Sequence, residues 1–321
     1  MSEPSLLSRQ FNGKAAVLLQ WMGDPLITDL LINGIHSLYV EREGKLLIQP
    51  SPFPDLPSLM DFIERLLIPI GRRMDATHPY IDGRCVDGTR FHIILPPVAV
   101  NGPHISLRKF SDSADACPLE SFGPASVTEW LSSQVIARKN ILIAGGTGAG
   151  KTTLLSRLLE RVSPDERIAV IEETMEIQAR HPHLLRLEAR EPSPEGKGEV
   201  TLRCLLRQTL RMRPDRIVLG ECRGAEALDL LQVMNTGHPG SLGTIHANGC
   251  LDALRRLEGL ALFSGFPLSV KTLREWIGAA ISVVVYLERS TSGRSIREIL
   301  LLHGLEGEVY RMTPWFRAER N

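Results

Sequence analysis

The chain has 321 residues, and its 37 Lys and Arg balance 37 Asp and Glu, so its formal charge is zero with histidine neutral. At 43% hydrophobic and 23% charged it can bury a core, and at about 150 residues per domain it implies two domains, or one with insertions. The neutral balance argues against a generally cationic nucleic-acid coat and a polyanionic tail while leaving room for a local basic patch, and 5% aromatic content argues against a base-stacking platform as the main design.

The amino-terminal stretch MSEPSLLSRQFNGK has no apolar core of secretory type. The first third then reads as a mixed α/β domain. Asp29–Ile32 and Ser37–Val40 are predicted strands separated by the turn pair Asn33-Gly34, and Glu43-Gly44-Lys45 turns the chain into Leu46–Ile48. From Leu56 to Ile70 apolar residues recur at helical spacing (Leu59, Phe62, Ile63, Leu66, Leu67) between prolines. Tyr80–Arg84 and Arg90–Ile94 flank Asp87-Gly88, a hairpin signal, and His104–Phe110 is a last strand.

Residues 111–124 (SDSADACPLESFGP) are small, polar and broken by Pro and Gly, the composition of a linker. Beyond them the pattern predicts helix 126–138, strand 140–144, helix 151–162, strand 167–171, helix 200–212, strand 216–220, helix 224–235 and strand 241–245. Such alternation implies βαβ units and parallel strands. The expected division is therefore an α/β domain over 1–110, a linker over 111–124 and a second domain over 125–321. The longest apolar stretch, Ile277 to Leu287, falls far short of the roughly 20 residues needed to span a bilayer. Five cysteines (Cys85, Cys117, Cys204, Cys222, Cys250) lie far apart with no Cys-x-x-Cys pair, which excludes a zinc clip and a disulfide framework and fits a reducing compartment. The expectation is a cytosolic protein able to dock on a membrane complex.

The chemistry concentrates after the apolar strand Asn140–Ala144. It runs into Gly145-Gly146-Thr147-Gly148-Ala149-Gly150-Lys151-Thr152, followed by Thr153 and a helix-forming run. This is Gly-x4-Gly-Lys-Thr in the strand–loop–helix setting that a P-loop requires. Glycines let consecutive backbone N–H groups wrap phosphates, and the helix amino terminus adds a positive field. Lys151 is placed to reach the β and γ phosphates and the Thr152 hydroxyl to coordinate magnesium.

Hydrolysis needs acids. The strand Arg167–Ile171 ends in Glu172-Glu173, with Glu176 close by, and Ile217–Gly220 delivers Glu221 at its carboxyl end. Carboxylates at the carboxyl ends of parallel strands converge on the crevice where a nucleotide sits; one can serve the magnesium shell and another the attacking water. A single such Glu reads as surface charge; two after a P-loop do not. His238 and His246 flank a further strand among small residues, which suits a γ-phosphate sensor and offers no metal site. Arg203, Arg207 and Arg211 recur every four residues, with Arg213 and Arg216 after them. A solvated or ion-paired face is the default for such a stripe, and a subunit or phosphate interface the sharper alternative.

In this order, the P-loop, the Glu172-Glu173 strand end, Leu219-Gly220-Glu221 and the histidine segment resemble the Walker A, Asp box, Walker B and His box of the type II/type IV secretion traffic ATPases. Glu195–Glu199, Leu210–Arg216, Met234–His238 and Thr244–Asn248 are similar to the tight-adherence pilus and conjugative-transfer branch. So, in the first domain, are Asp87–Arg90, Leu95-Pro96-Pro97 and Ser106–Phe110. The resemblance runs from about Asp24 to about Met312.

It implies an amino-terminal α/β domain joined to a RecA-like domain, a hexameric ring, and Mg-dependent ATP hydrolysis that powers pilus assembly or export from the cytoplasmic side of the inner membrane, on a membrane platform protein. Carried onto matching positions, Gly145–Thr153 bind nucleotide, Thr152 and Glu221 serve magnesium, Glu172 is the base, Glu221 the Walker B acid and His246 the sensor. Arg90 and Arg108 match arginines that reach phosphate at a domain or subunit junction. Glu173 replaces the usual Asp, which leaves Glu172 and Glu173 both open for the base. Cys222 and Cys250 stand where other small residues are usual, and the tetracysteine zinc module of the type II branch is absent. The readings set against this one are a conjugative DNA-transfer ATPase, a DNA-stimulated translocase, a non-catalytic scaffold and, least, a monomeric kinase; no sequence-specific nucleic-acid contact is expected.

Overall fold

The computed structural model describes residues 11, 15–85, 87–109, 117–193, 196–290 and 293–318. Most of the amino-terminal stretch, Phe110, residues 111–116 of the expected linker, and Glu195 lie outside them. The chain divides into two compact units, Met1–Asp112 with Ser193–Lys197, and Ser113–Pro192 with Gly198–Asn321.

The first unit begins with α1 (Ala16–Gly23) and is built on a six-stranded antiparallel sheet in the order β3-β2-β1-β6-β5-β4. Its strands are β1 (Ile27–Asn33), β2 (Ser37–Arg42), β3 (Lys45–Gln49), β4 (Tyr80–Arg84), β5 (Arg90–Ile94) and β6 (His104–Arg108). Alternation sets the register: Leu30, Ile32, Leu38, Val40, Phe91, Ile93, Ile105 and Leu107 all point into one core. Against them packs α2 (Leu56–Leu67), which buries Leu59, Phe62, Ile63, Leu66 and Leu67. Asp55 caps α2 by accepting from the Ser58 N–H at 2.9 Å. The helical pattern extends to Ile70, but Pro69 cannot donate to the helix ladder, so the chain tightens into a 3-10 turn over Ile68–Ile70 and stops at Gly71. The expected Asp87-Gly88 hairpin forms, with Asp87 accepting from the Thr89 N–H at 2.9 Å.

The second unit is an eight-stranded mixed sheet between two helical layers, in the order β14-β13-β12-β7-β11-β10-β8-β9. Five parallel pairings run through β12 (Val283–Ser290), β7 (Ile141–Gly145), β11 (Leu242–Ile245), β10 (Arg216–Cys222), β8 (Ile168–Glu172) and β9 (Leu184–Glu188). Their apolar runs are continuous because both faces are covered. Ile141, Ile143, Val170 and Val285 join one core with α3 (Ala125–Ile136) and α4 (Lys151–Leu159). Leu142, Ala144, Ile171 and Val284 join the other with α5 (Leu202–Thr209), α6 (Glu226–Asn235), α7 (Cys250–Leu262) and α8 (Val270–Ala280). Leu119–Phe122, within the stretch of linker composition, is a 3-10 turn whose Leu119 and Phe122 are buried in the α3–α4 core.

Beyond residue 245 the chain completes the sheet: β13 (Gly293–Glu306) and β14 (Val309–Arg317) extend β12 as an antiparallel ribbon. The apolar stretch Ile277–Leu287 is split between α8 and β12. No described helix is long and apolar enough to cross a membrane.

Candidate nucleotide site at the carboxyl edge of the second sheet

Because β7, β8, β10 and β11 are parallel, their carboxyl ends lie along one edge, and everything they deliver converges there. β7 delivers the P-loop. Gly145 has no room for a side chain, since a Cβ there would come within 2.8 Å of the Leu287 carbonyl oxygen. Gly150 adopts φ +92, a left-handed conformation that brings the chain into α4 at Lys151. Gly146, Thr147, Gly148 and Ala149 make the loop between, and Thr152 and Thr153 follow half-buried on the first turn of α4.

Lys151 is only 8% exposed. Its ammonium donates to the carbonyl oxygens of Gly145 and Gly146, both at 3.0 Å, and lies 4.0 Å from Glu221 Oε1. Burial pulls its pKa below the ordinary lysine value, with Glu221 opposing the shift. His246, at the end of β11, places Nε2 3.0 Å from Glu221 Oε1 and 3.5 Å from Lys151 Nζ. One ring nitrogen cannot satisfy both neighbours: protonated it donates toward Glu221, unprotonated it accepts from Lys151. Burial and the Lys151 charge lower the His246 pKa, which favours the neutral ring. Glu221 Oε1 has no aligned hydrogen-bond donor among the described residues.

Glu172 and Glu173 are adjacent but face different surroundings. Glu172 is 4% exposed and accepts from the backbone N–H groups of Glu176 at 2.9 Å and Ile177 at 3.1 Å. It lies over Gly220, where any Cβ would come within 2.7 Å of the Glu172 Cγ. Those amide bonds also set Glu176, whose Oε2 accepts from the Thr152 hydroxyl at 3.3 Å. Glu173 is half exposed and tied to Arg223 at 2.7 Å. The Arg223 guanidinium reaches Glu221 as well, its Nε donating to Oε2 at 2.7 Å. Arg223 therefore bridges the ends of two strands. Its only signal in the sequence is its position two residues after Glu221, at a strand end.

Other expected residues lie elsewhere. His238 sits before β11, at the opposite edge of the sheet from His246. In the first unit, Arg90 and Arg108 are direct cross-strand neighbours on β5 and β6, and Arg108 Nε donates to Asp29 at 2.9 Å. Arg203 and Arg207 both approach Asp229, at 2.6 and 3.5 Å, which is the ion-paired reading of that stripe. Cys222 and Cys250 are buried with their thiol pKa values pushed up by desolvation, so they carry no thiolate chemistry.

The sequence matches the profile of the Type II/IV secretion system protein family over residues 12–291. A protein of Mycobacterium tuberculosis H37Rv named for conjugal transfer, Rv3659c, is 41% identical over 299 residues, covering 90% of this chain and 84% of its own length. The conjugal transfer protein TrbB of Rhizobium radiobacter is 31% identical over 329 residues, covering 100% of this chain and 97% of its own. The X-ray structure of the Legionella pneumophila ATPase DotB shares the fold at TM-score 0.61 and 20% identity, covering 94% of this chain and 83% of that one. With a complete P-loop, strand-end acids and an amino-terminal domain ahead of a RecA-like sheet, the chain belongs to the type II/IV secretion system protein family and is an ATPase of that family.

Proposed function

We propose that Gly145–Thr153 bind the phosphates of ATP and that hydrolysis is carried by the acids along the same sheet edge. The observation behind this reading is the convergence of Lys151, Glu221 and His246 within 4.0 Å beside the P-loop, where the one His246 nitrogen cannot serve both neighbours and Glu221 Oε1 lacks an aligned donor. Lys151 leaves two carbonyl oxygens for the phosphate chain, an exchange from neutral acceptors to an anion that favours the bound state. Thr152 and Glu221 supply oxygen donors suited to a magnesium ion, which keeps most of its shell from water and phosphate rather than from a protein cage. Bound there, the ion supplies charge neutralisation to the phosphates.

Glu172 is the proposed base: its carboxylate is buried at the carboxyl end of β8 and held in position by two backbone amides, the fixed placement that proton transfer from an attacking water requires. Arg223 occupies Glu173, which leaves that side chain a supporting part. His246 senses the γ-phosphate, because departure of Lys151 toward phosphate frees Nε2 to donate toward Glu221. Arg90 and Arg108 are proposed to reach phosphate from the first unit, within or between subunits of a homo-oligomer, most simply a hexamer. The motor is placed in the cytoplasm against an inner-membrane platform protein, where it powers export or pilus assembly. The conjugal-transfer relatives favour a conjugative setting within that range.

Steady-state ATPase assays on the full chain test the reading. Lys151→Ala is expected to abolish turnover, and Glu172→Gln to lower it by roughly 100-fold while Mg·ATP binding persists, the loss expected for a general base. Unchanged turnover in Glu172→Gln moves the role to Glu173; stimulation by DNA moves the assignment to a translocase.

A further inference from the structure

The ribbon β12–β13 carries two arginines with no structural use. β12 runs parallel beside β7 in the register Leu287↔Gly145, and it continues past the point where β7 turns off into the P-loop. Arg289 falls in that overhang, on the same face as Val285 and Leu287, whose side chains join the core beneath α4. Arg294 is its direct cross-strand partner. Both rest on the P-loop: a Cβ built on Gly148 would lie 3.3 Å from Arg289 Nη1, and one on Gly150 would lie 2.9 Å from Arg294 Cδ. Like charges directly opposite in a ladder repel. Neither guanidinium has a carboxylate or hydrogen-bond partner among the described residues, while the neighbouring Glu288 is taken by Arg297 at 2.9 Å. An anion delivered to the P-loop would relieve the repulsion and pair both groups.

We propose that Arg289 and Arg294 form a second cationic contact to the phosphate chain of the bound nucleotide, in addition to Lys151. This rests on the nucleotide reading above and assigns that site a part contributed by the carboxyl-terminal ribbon. Bidentate guanidinium geometry suits phosphate oxygens, and both side chains are exposed, which lets them swing onto the ligand.

Calorimetric titration of Mg·ADP and of a non-hydrolysable Mg·ATP analogue into the full chain tests it. Arg289→Gln and Arg294→Gln are each expected to weaken binding about tenfold, as for loss of one charge-assisted hydrogen bond, and Arg289→Lys by less. Arg311→Gln, an equal charge change on the exposed face of β14, should leave affinity at the wild-type value. Melting without nucleotide should be unchanged or slightly higher in the Gln variants, because repulsion is removed, while the nucleotide-induced rise in Tm shrinks. A lower melting temperature without nucleotide, or wild-type affinity in the double Gln variant while Lys151→Ala loses binding, overturns the pair and leaves the nucleotide site standing. No heat with the wild-type chain overturns both.

Discussion

The two edges of the parallel sheet handle buried charge in opposite ways. At the amino edge, Arg216 is fully buried, and all three of its nitrogens are answered: Nε and Nη2 donate to Glu166 at 2.8 Å each and Nη1 to the Val135 carbonyl at 2.8 Å. Glu166 is closed from the other side by Arg138 at 2.9 Å. At the carboxyl edge, Lys151 is nearly as buried, yet its ammonium meets only neutral acceptors, two carbonyls and the His246 ring nitrogen at 3.5 Å, with its nearest carboxylate 4.0 Å away, and Glu221 Oε1 lacks an aligned donor. A buried charge whose partners are complete maintains the fold. One whose partners are incomplete is held ready for charge that arrives from outside.

That contrast breaks if the two edges respond alike to loss of a charge. The largest effect is expected for Lys151→Ala: turnover falls to background while the nucleotide-free melting temperature stays close to wild type. Glu166→Gln should do the reverse, costing about 3–5 kcal/mol of stability because Arg216 is left buried and half paired, with little change in turnover per folded molecule. Chemical denaturation with an activity assay at low denaturant separates the two readouts. Next comes Glu172→Gln, where a loss of roughly 100-fold in turnover corresponds to about 2.7 kcal/mol in the barrier. Glutamine keeps one acceptor for the Glu176 and Ile177 amides, so a large fall in melting temperature would instead mark Glu172 as a support for that loop.

Acid sharpens the comparison further. Hydrogen bonds from Arg216, opposed by burial and reinforced by Arg138, hold the Glu166 carboxyl down from 4.5 to about 2. A carboxyl with a depressed pKa in the fold stabilises it above the unfolded value, and that stability fades as pH falls from near 4.5 toward 2. Melts across that interval should show wild type losing more than Glu166→Gln. The smallest effect belongs to the first unit: Asp55→Ala removes the α2 cap and should cost about 1 kcal/mol, read by denaturant titration.

What the sequence disclosed, and what it withheld, follows the distance over which each feature is determined. The P-loop was legible because strand, glycines, Lys151 and Thr152 are contiguous and the turn is set locally. Glu221 and the Glu172-Glu173 end were legible because carboxyl ends of parallel strands must share an edge. Arg289 and Arg294 were not, and Arg223 only through its place just after Glu221, because their roles depend on which strands lie side by side; β12 reaches β7 from about 140 residues away in sequence. The stretch Ile277–Leu287 concealed a boundary, since a buried helix end and a strand covered on both faces read as one apolar run. Within the site, the burial of Glu172 over Gly220 was equally invisible, because residue type cannot reveal that its oxygens are engaged by amides.

Phosphate release from ATP by the purified full chain, followed over many turnovers with and without magnesium and beside Lys151→Ala, tests the account most directly. Sustained, magnesium-dependent release that disappears in Lys151→Ala is the expected result. A wild-type chain that binds nucleotide but releases no phosphate, or a Lys151→Ala chain that matches it, would contradict the claim that this sheet edge cleaves ATP.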